Sequence, residues 1–185
     1  MGALARVASG TVVIRPGGLG REGKHRIVSG TGSRFELRQV EGRHLAMGLA
    51  LPYLAARQPF AAFQAGELTR TVAGQILRGH YLMAFEGARL VGYLGWACYS
   101  PADAAAYARS LTAPPDDRAN GQGVVWLLTA AATFPEALEA MLRGGRRRYM
   151  GWRVMGVRHR RNGSVVVFDQ TIRRRGSDLH DPPGR

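Results

Sequence analysis

Two pairs of apolar strand segments, each joined by a short turn that contains glycine, constrain the fold of this chain most strongly. Tyr81–Phe85 and Leu90–Cys98 are separated by a turn with one glycine, as expected of a β-hairpin. Met150–Val157 and Ser164–Phe168 flank a second turn that contains Asn162-Gly163, and Asn-Gly is a strong hairpin signal. Two hairpins predict a sheet that is largely antiparallel.

Helical segments precede and separate the hairpins. Four segments have the apolar spacing, cap or proline position of helices: Glu41–Arg57, Gly66–Arg78, Pro101–Leu111 and Pro135–Leu142. Gly144-Gly145 predicts the end of the fourth helix, and the apolar run Val124–Leu128 predicts a central, buried strand. The order α-α-β-β-α-β-α-β-β predicts an α/β (α+β) fold, a mixed and largely antiparallel sheet with packed helices.

The chain of 185 residues is long enough for one domain. Residues 1–40 contain clustered glycines and serines, which predicts a flexible, basic extension, and residues 173–185 predict a flexible tail. The folded domain is therefore predicted at residues 41–172. Removal of both ends is expected to leave the melting transition unchanged.

The chain has a large positive charge that is carried almost entirely by arginine. Lys24 is the only lysine among 26 basic residues, and the formal net charge is +13. Such a charge attracts nucleic acid, an acidic membrane surface or an acidic protein, although a GC-rich genome also produces this composition.

No apolar run reaches the ~18 residues of a membrane-spanning helix, and no secretory signal is visible. These features predict a cytoplasmic protein with no stable membrane insertion.

Few residues have the spacing of a catalytic or metal site. Cys98 is the only cysteine and the five histidines lack ligand spacing, so neither a zinc site nor any other metal or bound cofactor is predicted. The glycine motif at residues 15–23 is not followed by a convincing helix, which phosphate binding requires. His80, at the entrance of a strand, is the one weak catalytic candidate, and Cys98 is expected to be a buried, inert thiol.

A basic and aromatic cluster follows the fourth predicted helix. We refer to its arginines as the basic cluster: Arg143, Arg146, Arg147, Arg148 and Arg153. These guanidinium groups predict either a solvated surface or a docking site for an anionic partner.

From Gly48 onward the chain resembles the toxin-activating lysine-acyltransferases, which move a fatty acyl chain from acyl carrier protein to lysines of RTX protoxins. The matching landmarks are mostly apolar or aromatic: Gly48, Ile76, Tyr81, Gly92–Ala97, Ser100, Tyr107, Trp126 and Arg146–Arg148. The resemblance implies a variant of the GNAT acetyltransferase architecture. It also implies acyl carrier protein as donor, an RTX-type protein as acceptor and lysine acylation as the reaction.

The same alignment places Phe60 at the position of the family's catalytic histidine and Thr129 at that of its aspartate. Phenylalanine cannot accept a proton and threonine cannot carry the negative charge, so the catalytic residues are unknown. One hypothesis is an acyltransferase that uses His80 or Cys98 instead. The alternatives are a pseudoenzyme that binds an acyl carrier or another protein, and arginine-mediated nucleic-acid binding; homodimer formation is also open.

Overall fold

The computed structural model describes residues 34–111, 123–159 and 165–173. Within these ranges, the strands are β1 Glu36–Arg38, β2 Tyr81–Glu86, β3 Arg89–Tyr99, β4 Val124–Ala132, β5 Arg153–His159 and β6 Val165–Thr171. The α-helices are α1 Arg43–Ala55, α2 Ala65–Leu77, α3 Pro101–Ser110 and α4 Pro135–Arg147, and a short 3-10 helix covers Phe60–Ala62.

The six strands form one sheet in the order of the chain, β1-β2-β3-β4-β5-β6. All neighbouring strands are antiparallel except β4 and β5, which are parallel and are connected by α4, as a parallel pair requires a crossover. The predicted α/β fold, a mixed and largely antiparallel sheet with packed helices, is confirmed. None of the described helices is long and apolar enough to cross a bilayer.

The helices cover the two faces of the sheet unequally. On one face, α4 packs over Leu82, Leu94, Trp96 and Cys98. On the other face, α1 and α2 cover the strand side chains of Tyr81, Met83, Phe85 and Tyr93, and α3 packs against Tyr99 and Trp126. A side chain on β3 therefore faces either α4 or the other three helices.

Local signals explain several element boundaries. The Ser100 hydroxyl accepts a hydrogen bond from the backbone N–H of Asp103 at 3.1 Å, and Pro101 takes the first helical position of α3, as predicted. The turn between β2 and β3 contains Gly87 at φ +60°, a conformation that glycine adopts without strain. The first predicted hairpin is thus confirmed. β5 and β6 also pair as predicted, whereas their turn lies outside the described residues.

The domain begins earlier than the sequence predicts. Glu36–Arg38 forms β1, which pairs with β2, and Phe35 and Leu37 are buried in the core beneath α4. Residues 34–40 therefore do not belong to the predicted extension of residues 1–40, because their alternating apolar side chains pack on the sheet. Residues 1–33 and 174–185 lie outside the described part of the chain.

Helix α4 continues through Gly144-Gly145, where the sequence predicts its end. An added Cβ at Gly144 would lie 3.0 Å from Leu37 Cδ1 and 3.2 Å from Leu82 Cδ2. The glycine lets the helix approach the sheet closely, so tertiary packing outweighs the low helix propensity of glycine. The extra residues place Arg146 and Arg147 in the last turn of α4.

Candidate functional site

Phe60, which the resemblance to the lysine-acyltransferases aligns with a histidine, is part of the apolar core. Phe60 begins the 3-10 helix, is 7% exposed and packs with side chains of α1 and α2. Its ring meets that of Phe63 edge to face at a centroid distance of 5.6 Å. Position 60 therefore contributes apolar burial and provides no proton acceptor.

Thr129, which the same resemblance aligns with an aspartate, belongs to a buried network of three neutral side chains, here termed the polar triad: Gln75, Tyr93 and Thr129. The Gln75 Nε2 atom donates to Thr129 Oγ1 at 3.1 Å, and the Tyr93 hydroxyl donates to Gln75 Oε1 at 2.9 Å. Thr129 is 2% exposed, and burial raises the pKa of Tyr93 far above its ordinary value. The triad satisfies its hydrogen bonds without a charge.

The polar triad depends on Gly95, which is opposite Thr129 in the β3–β4 ladder. A Cβ at Gly95 would overlap the side-chain amide of Gln75, so the amide lies directly over the strand backbone. Sequence reasoning missed Gln75. The signal was present, because Gln75 is a polar residue beside Val72 and Ile76 on the buried stripe of α2.

The structure brings His80 and Cys98 together on the opposite face of the sheet. The Nε2 atom of His80 is 4.0 Å from Cys98 Sγ, and the imidazole stacks on Trp96 with a centroid distance of 6.2 Å. The backbone fixes this arrangement, since the Trp96 N–H donates to the His80 carbonyl at 3.0 Å. His80 is half-buried, whereas Cys98 is 4% exposed, as expected from the sequence.

Tyr149 completes this group, which we term the Cys–His cluster: His80, Trp96, Cys98 and Tyr149. Its hydroxyl oxygen accepts from Trp96 Nε1 at 2.6 Å and from the Cys98 thiol at 3.9 Å. Burial, and then the neighbouring thiol, raise the pKa of Tyr149 well above its ordinary range. Tyr149 therefore remains a neutral phenol at physiological pH, and the His80 imidazole lies beside the Cys98 thiol.

The basic cluster does not form one uniform surface. Arg148 donates to the Gly79 carbonyl at 3.1 Å, and Arg146 donates to the Arg173 carbonyl at 3.2 Å. Arg153 pairs with Asp169 across the β5–β6 ladder, and this hydrogen bond raises the pKa of Arg153. Arg143 and Arg147 are exposed near the end of α4, with Glu139 at 3.6 Å from Arg143. These last two arginines are the most available to an external anion.

The basic cluster and the Cys–His cluster occupy the same end of the molecule. Helix α4 leaves the carboxyl end of β4 and returns to the amino end of β5, next to Arg153. Cys98 is opposite Val125, near the amino end of β4. Arg148 connects the two clusters, because its guanidinium binds the carbonyl of the residue before His80.

The side chains of the polar triad lie on the other face of the sheet. Thr129 is four residues beyond Val125 on β4, roughly 13 Å along the strand, and its side chain contacts α2 rather than the α4 face. The β4–β5 ladder has already ended at Leu127 and Gly156 although both strands continue. Position 129 thus lies where the parallel strands part, on the face of the sheet that α2 covers.

Within the described residues, no group of three or more histidine, cysteine, aspartate or glutamate side chains could hold a metal ion. No family model and no curated protein matches the sequence. Among solved structures, the chain is similar to the PaiA N-acetyltransferase from Thermoplasma acidophilum in complex with coenzyme A. That match has 14% identity, covers 70% of this chain and 82% of the other, and has a TM-score of 0.36. The similarity concerns the fold alone.

Proposed function

We propose that this protein takes part in acyl transfer and receives its acyl groups from an acyl carrier protein that docks on the basic cluster. The main support is that the basic cluster lies at the same end of the molecule as the His80–Cys98 pair. Arg148 connects the two, because it binds the carbonyl of the residue before His80. A carrier bound there would present its thioester beside a nucleophile and a base. The proposal goes beyond the fold and rests on this geometry.

Charge supports an acidic partner at this end. Acyl carrier proteins are strongly acidic, and exposed guanidinium groups such as those of Arg143 and Arg147 steer an acidic protein toward its docking site. The contact between Glu139 and Arg143 does not neutralise the basic cluster. Both of these side chains are largely exposed, and exposed ion pairs interact weakly.

Transfer to a lysine of an RTX-type protein is the finer form of the proposal. At neutral pH only about one lysine amine in a few thousand is uncharged, so a base must remove a proton before attack. Phe60 and the neutral polar triad provide none. If lysine is the acceptor, His80 is the base that the structure offers.

The buried and neutral positions 60 and 129 favour a second candidate function, a pseudoenzyme that binds the acyl carrier without transferring its acyl group. An assay separates the two. The full chain is incubated with acyl carrier protein and an RTX-type lysine peptide, and peptide mass is followed against a blank without protein. Transfer that disappears in His80→Gln supports the enzyme, and its absence despite carrier binding supports the pseudoenzyme. Transfer at full rate in His80→Gln would contradict the role of His80.

Docking is tested by titrating the full chain with acyl carrier protein at low and high salt. Arg143→Glu with Arg147→Glu is expected to weaken binding at least tenfold, because two exposed cations of the site become anions. The matched control, Arg70→Glu with Arg109→Glu, changes exposed arginines on α2 and α3 and is expected to shift affinity by less than about threefold through the reduced net charge.

Equal losses in both double variants, or no binding at low salt, would overturn the docking proposal. Tighter binding of duplex DNA than of the carrier, lost in the same Arg143/Arg147 variant, would instead assign the basic cluster to nucleic acid.

A further inference from the structure

Cys98 is the only cysteine of the chain, and its thiol has His80 Nε2 at 4.0 Å. Covalent acyl transfer uses a nucleophile and a base that lies within its reach, and a third group holds the base in place. Here the imidazole is held by stacking on Trp96 and by the backbone bond between residues 80 and 96. The pair needs no contribution from positions 60 or 129.

We propose that Cys98 is a covalent acyl acceptor, with His80 as its general base, so that the protein carries the acyl group as a thioester. The inference rests on the proposed function for its donor, an acyl thioester on a carrier. His80 Nε2 takes the thiol proton, and the Cys98 sulfur attacks the thioester carbonyl. The bond from that carbonyl to the carrier's sulfur breaks, and the departing thiolate takes the proton from His80. One thioester is thereby exchanged for another, and no oxidant or metal is needed.

The surroundings of the thiol suit an acyl group. The rings of Trp96 and Tyr149 meet edge to face at 5.7 Å, and Tyr149 meets Trp152 in the same way at 5.5 Å. These side chains, with Val125 and Val154, belong to the same buried apolar cluster as Cys98. An acyl chain that displaces water from such surfaces gains about 0.8 kcal/mol per buried methylene group.

The position of the pair also fits a docked carrier. Arg148 binds the Gly79 carbonyl, so the basic cluster meets the chain next to His80. His80 is half-buried and Cys98 is more deeply buried. A thioester would therefore reach the sulfur from the side of the imidazole. The side chains of the polar triad lie on the opposite face of the sheet, although the Gln75 carbonyl accepts from the His80 N–H at 2.8 Å.

The test is intact-mass spectrometry of the full chain after incubation with two donors, octanoyl acyl carrier protein and the small thioester octanoyl-N-acetylcysteamine. We expect one octanoyl adduct that maps to the peptide containing Cys98 and is removed by neutral hydroxylamine. It should be absent in Cys98→Ala and should form at least about 100-fold more slowly in His80→Gln. His44→Gln, which changes an exposed histidine on α1, is the matched control and should react like the original protein.

Several results would overturn the inference: no adduct from either donor, an adduct at another residue, or an unchanged rate in His80→Gln. The adduct on the unmodified sequence decides the question even if a variant fails to fold. An adduct from the small thioester but not from the carrier would support this inference and contradict carrier docking. Carrier binding without any adduct would retain the proposed docking and reject Cys98 as acceptor.

Discussion

At the residue scale, the amide of Gln75 organises the buried polar triad between α2 and the sheet. It bonds to Tyr93 on one side and Thr129 on the other, and it lies over Gly95 because only a residue without Cβ leaves room. Buried polar groups of this kind stabilise the fold only while every partner is satisfied. The polar triad is therefore a structural element in this protein.

Replacement of Gly95 by alanine tests this view. The added Cβ displaces the Gln75 amide and leaves two buried hydroxyl groups with poorer hydrogen bonds, so the free energy of unfolding should fall by about 1–3 kcal/mol. Gly48→Ala is the control, since a Cβ at this exposed helical position meets nothing within 4 Å and should raise stability by about 0.5–1 kcal/mol. Chemical denaturation measures both, and equal effects would contradict the packing argument.

The buried tyrosines predict the response to alkali. Burial raises the pKa of Tyr53, Tyr81, Tyr93 and Tyr149, so the folded state holds phenol protons that the unfolded chain releases above about pH 10. Their contribution to stability is complete below that pH and is lost as the pH rises further. Melting temperature should therefore fall steeply between pH 9.5 and 11, with tyrosinate absorbance appearing together with unfolding. Gradual ionisation near pH 10 in a protein that stays folded would contradict this prediction.

At the scale of elements, the two glycines inside α4 have different environments. A Cβ at Gly144 meets Leu37 and Leu82 closely, whereas one at Gly145 has Leu94 Cδ2 at an ordinary 3.9 Å. Gly145→Ala should therefore gain up to about 1 kcal/mol from helix propensity, and Gly144→Ala should gain nothing or lose stability through overpacking. Thermal melts of the two variants provide the comparison, and an equal gain in both would show that α4 does not need the close approach.

Hydrophobic periodicity was sufficient to predict α1 and α2, because each has one consistent buried face. The cap and proline of α3 and the glycine turn of the first hairpin predicted the other two elements. These signals failed where contacts distant in sequence decide the structure. The short strand β1 depends on pairing with β2, and the end of α4 depends on Leu37 and Leu82. Both errors reflect tertiary context that outweighs local propensity.

The site was predictable only in part, for a similar reason. His80 and Cys98 were identified separately, but their contact depends on β-sheet register and a bulge at Gly95/Trp96, which sequence patterns do not fix. The basic cluster was visible as a run of arginines. Its division into side chains that bind carbonyls and side chains that face solvent, as for Arg148 and Arg147, required the packing of α4.

At the scale of the whole molecule, the sheet begins at β1, before the predicted start of the domain. Phe35 and Leu37 are 4% and 5% exposed, and burial of each side chain contributes about 1.5–3 kcal/mol. A fragment of residues 41–173 should therefore melt many degrees below a fragment of residues 34–173, in contrast to the sequence prediction that the domain starts at residue 41. Equal melting temperatures would show that β1 contributes nothing to stability.

The two faces of the sheet hold two different polar groups. The side chains of the polar triad lie beneath α2, whereas the Cys–His cluster lies on the α4 face, where Arg148 connects it to the basic cluster. In the proposed function, an acyl donor that docks on the arginines reaches Cys98 from the α4 face and does not contact position 129.

Hydrogen–deuterium exchange of the full chain with and without acyl carrier protein tests where the carrier docks. We expect slower exchange in peptides covering Arg146–Trp152 and Arg78–Tyr81, the segments that Arg148 joins, with no change at Phe60–Phe63. Slower exchange centred on Phe60–Phe63 and Thr129–Ala132, with the end of α4 unchanged, would contradict the proposed docking.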